Sequence, residues 1–310
     1  MNTVYKRIAI VAGCIFCVGL LLGIAGFVLG GANSVLFENG RFRVMGSADK
    51  EEIDYVDETF ENVKDIIIDV DYFSKVILKE GTTFSVKGSN PKSLGGLEAK
   101  NTSGTLTVSD SKKRGHLIMD FGFFNNWNLV GDGVLEITYP ANANLGKLEV
   151  NVNLGDVEIS DLNANKIFTD LDAGDISVAR ISTEQLSIIL DLGNCDIDDA
   201  NAKNSEISCD SGNINIKNFE SDGIEVDSSL GDVTIDGSLR GKSDIDLDAG
   251  DLKLNLKQSM DDTAYFIETD LGDIVINGDK RRGLVENRIM GAQHNLNLKT
   301  DLGNVSLNFY

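Results

Sequence analysis

From residue 148 to the C-terminus, apolar side chains fall at fixed offsets from a recurring Gly-Asp or Gly-Asn pair. With the glycine as zero, the second residue after it is Val157, Ile176, Cys195, Ile214, Val233, Leu252, Ile274 or Val305. The fourth is Ile159, Val178, Ile197, Ile216, Ile235, Leu254, Ile276 or Leu307. The position between them is mostly polar, from Glu158 to Lys253, with Val275 the exception. Before the glycine, the fifth position runs from Val150 to Leu298 and the seventh from Leu148 to Leu296, both largely aliphatic. Alternation with period two marks strands with one buried face. Each repeat is thus predicted to hold two short strands, one entering the glycine and one leaving it.

The glycines are Gly155, Gly174, Gly193, Gly212, Gly231 and Gly250, each 19 residues after the last; Gly272 and Gly303 follow at intervals of 22 and 31. A constant step with constant chemistry signals a repeat architecture, in which one unit cannot bury its apolar face alone. Glycine suits a tight corner because it takes positive φ without a Cβ clash, and Asp or Asn can cap that corner's own amides. A looser corner is expected near residues 161–165, 201–204 and 240–242. The fold class is all-β: a single-stranded parallel β-helix, a solenoid of about 19 residues per coil with strands about 4.8 Å apart. Right-handed winding is favoured by the crossover preference. A left-handed hexapeptide helix is the alternative, but no six-residue sub-period is present.

The rest of the chain is organised around this solenoid. Residues 1–7 read as a cytoplasmic N-terminus. Residues 8–32, IAIVAGCIFCVGLLLGIAGFVLGGA, carry no charge and are long enough for a transmembrane helix. Lys6 and Arg7 precede the run and acids follow it, so the positive-inside bias places the C-terminal domain outside the cell. A cleaved signal peptide is the alternative, but the apolar run is too long for a standard signal core. Residues 33–60 read as a charged linker, 61–150 as irregular coils that cap the solenoid, and 151–310 as its regular repeats. Cys14 and Cys17 sit inside the apolar span with no second pair, which excludes a zinc or redox motif. Cys195 and Cys209 occupy inward columns as small hydrophobes, a disulfide between them being the alternative for an exported domain.

Charge narrows the partners. The formal net charge is −21, and the only charges before residue 33 are Lys6 and Arg7. So acidic a body argues against nucleic-acid binding, which needs phosphate neutralisation.

An N-terminal span, then Phe60-x-x-Val63-x-x-Ile66-x-Ile68, then Ile137-x-Tyr139-Pro140, then repeated D-x-G-D/N-[VI]-x-[IVL], resembles the bacterial "putative adhesin" β-helix domain family of unknown function. That family is common in Gram-positive bacteria, some members standing beside Lia-type cell-envelope stress systems. The similarity covers roughly residues 60–310. It implies a surface-exposed β-helix, membrane-anchored, and brings no catalytic residues. Ser229 in place of the usual acid and the long insertion after Asp279 depart from the pattern.

Three kinds of chemistry are weighed. Many β-helices act on polysaccharide, but the acids here recur in every coil, whereas a catalytic site gathers unlike groups at one place. His116 and His294 stand in no zinc or triad pattern. For calcium, two acidic columns exist: Asn153, Asp172, Asp191, Asp210, Ser229, Asp248, Asp270 and Asp301 before the glycine, and the Asp or Asn directly after it. Interleaved Asn and Ser relieve their repulsion, and the calcium-roll nonapeptide spacing is absent, so corner capping is the preferred reading. No cofactor or metal is expected, and the chain reads as a non-catalytic surface binding or scaffold module in adhesion or the envelope stress response.

Two stretches break the pattern. Residues 109–129 hold a basic cluster, phenylalanines and the only Trp, read as a cap. Residues 277–295 place Lys280, Arg281, Arg282 and Arg288 in an acidic protein. Since Leu296, Leu298 and Leu302 recover the alternation, this insertion reads as a loop leaving the solenoid. Its cations are the expected contact for an anionic envelope polymer, lipid headgroup or protein partner.

Overall fold

The structure is a computed structural model that describes residues 34–38, 41–45, 53–91, 96–110, 117–120, 133–281 and 283–310. The apolar run 8–32, Cys14, Cys17, His116 and Arg282 lie outside the described residues, as does most of 109–129. The chain divides into two units. In the smaller, Ser34–Glu38 pairs antiparallel with Arg41–Met45 and with Leu117–Asp120. The stretch read as a linker therefore carries strands, and a third, Ile53–Phe60, belongs to the larger unit.

The larger unit is the solenoid. Each regular coil is one long strand, such as Ile176–Leu192, Cys195–Ser211 or Ile214–Leu230, stacked parallel on the next. The looser corner expected from sequence resolves into two bends. The ladder skips Asp161 opposite Arg180 and Asn165 opposite Glu184, so a coil has three flat sides. The first bend uses a left-handed residue, Asp161, Arg180, Asp199 or Asn218, with φ between 48° and 61°. Inside, the expected columns stack without exposure: Val157, Ile176, Cys195, Ile214 and Val233 are all 0–1% accessible. A further column lines the side after the first bend, in which Ala200, Phe219 and Gly237 lie in register, so small residues flank the large ring. Cys195 and Cys209 are buried and free.

Coil order in space departs from order in sequence at both ends. Strand Gly241–Ala249 does not pair with the next such segment along the chain, Thr263–Leu271. It pairs instead with His294–Leu302, which lies between the two. Likewise Val305–Phe309 lies between Leu252–Leu256 and Ile274–Ile276. The corner glycines therefore stack 155, 174, 193, 212, 231, 250, 303, 272, with the Cβ position of Gly303 against the Gly250 carbonyl and that of Gly272 against the Gly303 carbonyl. His294 fastens this return, its Nδ1 lying 2.9 Å from the Leu239 carbonyl oxygen. At the other end, Asp65–Gly81 is the first coil in sequence, yet Thr105–Ser109 and Val134–Pro140 pair with it on one side and Asn144–Ala173 on the other. Each end is then closed by antiparallel strands, Phe84–Pro91 and Glu98–Thr102 at one, Asp279–Arg281 and Val285–Asn287 at the other. Short, charged terminal strands blunt the edges that a solenoid would otherwise offer for further pairing.

Candidate interaction surface

Gly155, Gly174, Gly193, Gly212, Gly231, Gly250 and Gly303 have φ between 138° and 159°, a region that side chains rarely adopt. A Cβ on Gly174 through Gly250 would stand 1.6–2.2 Å from the carbonyl oxygen of the preceding corner glycine. The corner is thus a stack of backbones with no space between levels.

The Asp or Asn that follows bonds across coils, which corrects the expectation that each caps its own corner. Asp175 N donates to Asp156 Oδ1 at 3.0 Å, Asn194 N to Asp175 Oδ1 at 2.7 Å, and Asn213 N to Asn194 Oδ1 at 3.1 Å. Asp232, Asp251, Asn304 and Asp273 continue the ladder in spatial order, each amide donating to the side chain one level back. A fixed donor direction explains why Asn serves as well as Asp: only an acceptor oxygen is required.

The column two residues before glycine, Asp172, Asp191, Asp210, Asp248, Asp301 and Asp270, is exposed at every one of these levels. Like charges accumulate beside it. Burial, then Asp172 and Asp191, push the Asp170 carboxyl above the usual range. Asp246 is raised too, chiefly by burial, with Asp227, Asp301 and Asp248 adding to it against Lys299. Among the described residues no three His, Cys, Asp or Glu side chains converge to hold a metal ion.

Lys280 and Arg281 lie on the edge strand that hairpins back on Ile274–Ile276, so the insertion is a terminal hairpin plus a short strand rather than a loop projecting from the coils. Lys280 Nζ stands 2.6 Å from Asp273 Oδ2, Arg281 is 3.7 Å from Asp279, and Arg288 pairs with Glu286. The three cations are brought to one end of the solenoid, each with an acid close by, and more than half of each side chain is exposed.

One groove was not legible in the sequence. Ile216 pairs with Ile235, 19 residues on, but Phe219 pairs with Gly237, 18 on, and the step returns to 19 at Gly223 and Lys242. A residue lost at one bend is regained at the next, with Gly241 at φ 64°. The misfit leaves an open groove of about 670 Å³ lined by Arg180, Asp198, Asp199, Glu220, Arg240 and Lys257 among others. Arg180 is already held by a bidentate pair with Asp161, at 2.5 and 2.8 Å. Gly237 and Gly241, off the motif, were the available signal. In the N-terminal cap, Asp110 accepts the Asp71 amide at 2.7 Å, and burial pushes its carboxyl up to about 6.

These features define a β-solenoid with repeating outer columns. Residues 63–308 match the Toastrack DUF4097 family, and the chain belongs to it. No curated protein matches the chain. Among solved structures, it is similar to a "putative adhesin" from Bacteroides fragilis NCTC 9343, with 14% identity, a TM-score of 0.51, and coverage of 84% of this chain and 98% of that one. A "putative adhesin" from Parabacteroides distasonis ATCC 8503 has 10% identity and a TM-score of 0.41, over 84% of this chain and 98% of that one. A "putative lipid binding protein" from the same organism has 11% identity and a TM-score of 0.36, with the same coverage.

Proposed function

We propose that this chain is a membrane-anchored, extracytoplasmic solenoid of right-handed winding, acting as a non-catalytic surface binding or scaffold module in adhesion or the response to envelope stress. One observation carries the reading: the exposed chemistry repeats level by level along the Gly-Asp/Asn corner. A surface of that kind suits an extended partner better than a single reacting bond. The anchor rests on Lys6 and Arg7 ahead of the uncharged run 8–32. The name of the Bacteroides fragilis protein, "putative adhesin", agrees with such a role. Protease added to intact cells should digest the chain beyond Ala32; protection until the cells are lysed contradicts the placement.

The terminal hairpin is proposed as a contact for an anionic envelope component. It is supported by the exposure of Lys280, Arg281 and Arg288 in a protein of net charge −21. Replacing Lys280, Arg281, Arg282 and Arg288 with Ser should leave folding intact and weaken salt-sensitive binding to cell-wall polymer or anionic vesicles. Binding equal to the parent's assigns these residues to edge protection alone.

A further inference from the structure

The position directly before five of the eight corner glycines carries a leucine, Leu154, Leu192, Leu230, Leu302 or Leu271, 40–69% exposed. The levels between hold Ala173, Ser211 and Ala249. Pairing places these residues in one line: Ala173 beside Leu192, Leu192 beside Ser211, Ser211 beside Leu230, Leu230 beside Ala249, Ala249 beside Leu302, and Leu302 beside Leu271. Single exposed leucines need no account, but a line of them at regular intervals does. The fold does not require leucine there, because alanine and serine occupy the same place. Placing the C-terminal coil inside the stack also brings Leu302 and Leu271 next to each other, so the ridge extends to the end of the corner.

The ridge runs between two columns that are mostly aspartate. On one side stand the exposed aspartates two positions before glycine. On the other stands the cross-coil ladder, Asp at five of its eight levels and Asn at 194, 213 and 304. A second copy of the chain would bring the same rows against each other, and an anionic bilayer would be repelled likewise. The complement is apolar in the middle and cationic at both flanks. Spacing selects its conformation. From Leu154 to Leu302 the leucines recur at every second level, about 9.6 Å at the usual strand separation, and Leu271 follows one level on. Seven residues of α-helix rise about 10.5 Å, so an apolar heptad stripe follows the ridge. A strand presents its same-face residues every 6–7 Å and does not.

We propose that this corner is a docking surface for a cationic amphipathic helix, which lays its apolar stripe along the leucines and its Lys or Arg side chains over the two aspartate rows. The proposal refines the binding-module reading above by naming the surface and the partner's chemistry. The test uses the full chain in zwitterionic nanodiscs and a fluorescent 21-residue helical peptide of three heptads, Leu on one face and Lys beside it, with empty nanodiscs subtracted. The parent should bind with an affinity that falls as salt rises, and the peptide with Glu for Lys should not bind. Leu192→Ala with Leu230→Ala, side chains this column already accepts, should weaken binding about 10-fold or more. Equal binding by that variant, or by the Glu peptide, overturns the proposal. So does a parent that ignores the peptide but self-associates, or binds anionic vesicles, through the same leucines. Protease topology on cells is independent of this readout, so the two readings fail separately.

Discussion

A chain ending at Gln293 should lose the whole C-terminal end of its solenoid, not just its last coil. Residues 294–310 supply Leu296, Leu298, Val305 and Leu307, all 0–3% exposed, to a level with neighbours on both sides. Removing four buried aliphatic side chains forfeits about 6–12 kcal/mol of burial. The level beyond, Thr263–Leu271 with Ile274–Ile276, then has no strand to lie on. Hydrogen exchange should show residues 263–287 unprotected in the truncated chain, with the coils of Gly174 to Gly212 unchanged. Had the coils stacked in sequence order, the same truncation would trim an end, and 263–276 would stay protected.

The second large effect is at the corner. Gly212→Ala places a Cβ 1.6 Å from the Gly193 carbonyl oxygen, at a φ of 150°. The backbone cannot yield at one level without shifting the next, since Gly231 stacks on Gly212 in the same way. Strain and collision together should cost about 3 kcal/mol or more. For a unit of this size that lowers the melting temperature by about 6–12 °C. A melting curve matching the parent's would show that the corner has room the stacked glycines do not allow.

Much of the fold could be read because columns are a local property. Val157 and Ile176 are equivalent by offset alone, and alternation tells which face is buried. What offsets do not contain is which copies touch. Every level presents the same columns, so the Gly303 coil fits on Gly250 as well as the Gly272 coil does. The segment 277–293, expected as a projecting loop, instead carries the chain back past one level, so that His294–Leu302 lies between Gly241–Ala249 and Thr263–Leu271. A turn residue ordinarily caps locally, which is why the side chain directly after glycine is expected on its own corner; stacked corners instead put the amide it accepts from one level away. The lost residue at Gly237 was hidden because Gly241 restores the count before the next motif. The leucine ridge lies in plain text, one residue before five of the eight corner glycines, but an apolar residue ordinarily marks a buried face, and the outside of a corner is where that rule fails.

Coil order decides where every outer column runs, the ridge included, and cysteine cross-linking reads it directly. Asp244, Asn297 and Phe266 hold the same position in three levels: Asp244 pairs with Asn297, and Asn297 with Phe266. Asn297 Nδ2 already donates to Asp244 Oδ1 at 3.0 Å. Facing residues on adjacent strands lie about 4.8 Å apart, within disulfide reach, whereas a two-level gap is beyond it. Oxidation should link Asp244→Cys to Asn297→Cys, and Asn297→Cys to Phe266→Cys, as peptide mapping by mass spectrometry would show. A link between Asp244→Cys and Phe266→Cys, with none to residue 297, would mean that the coils stack in the order they are written.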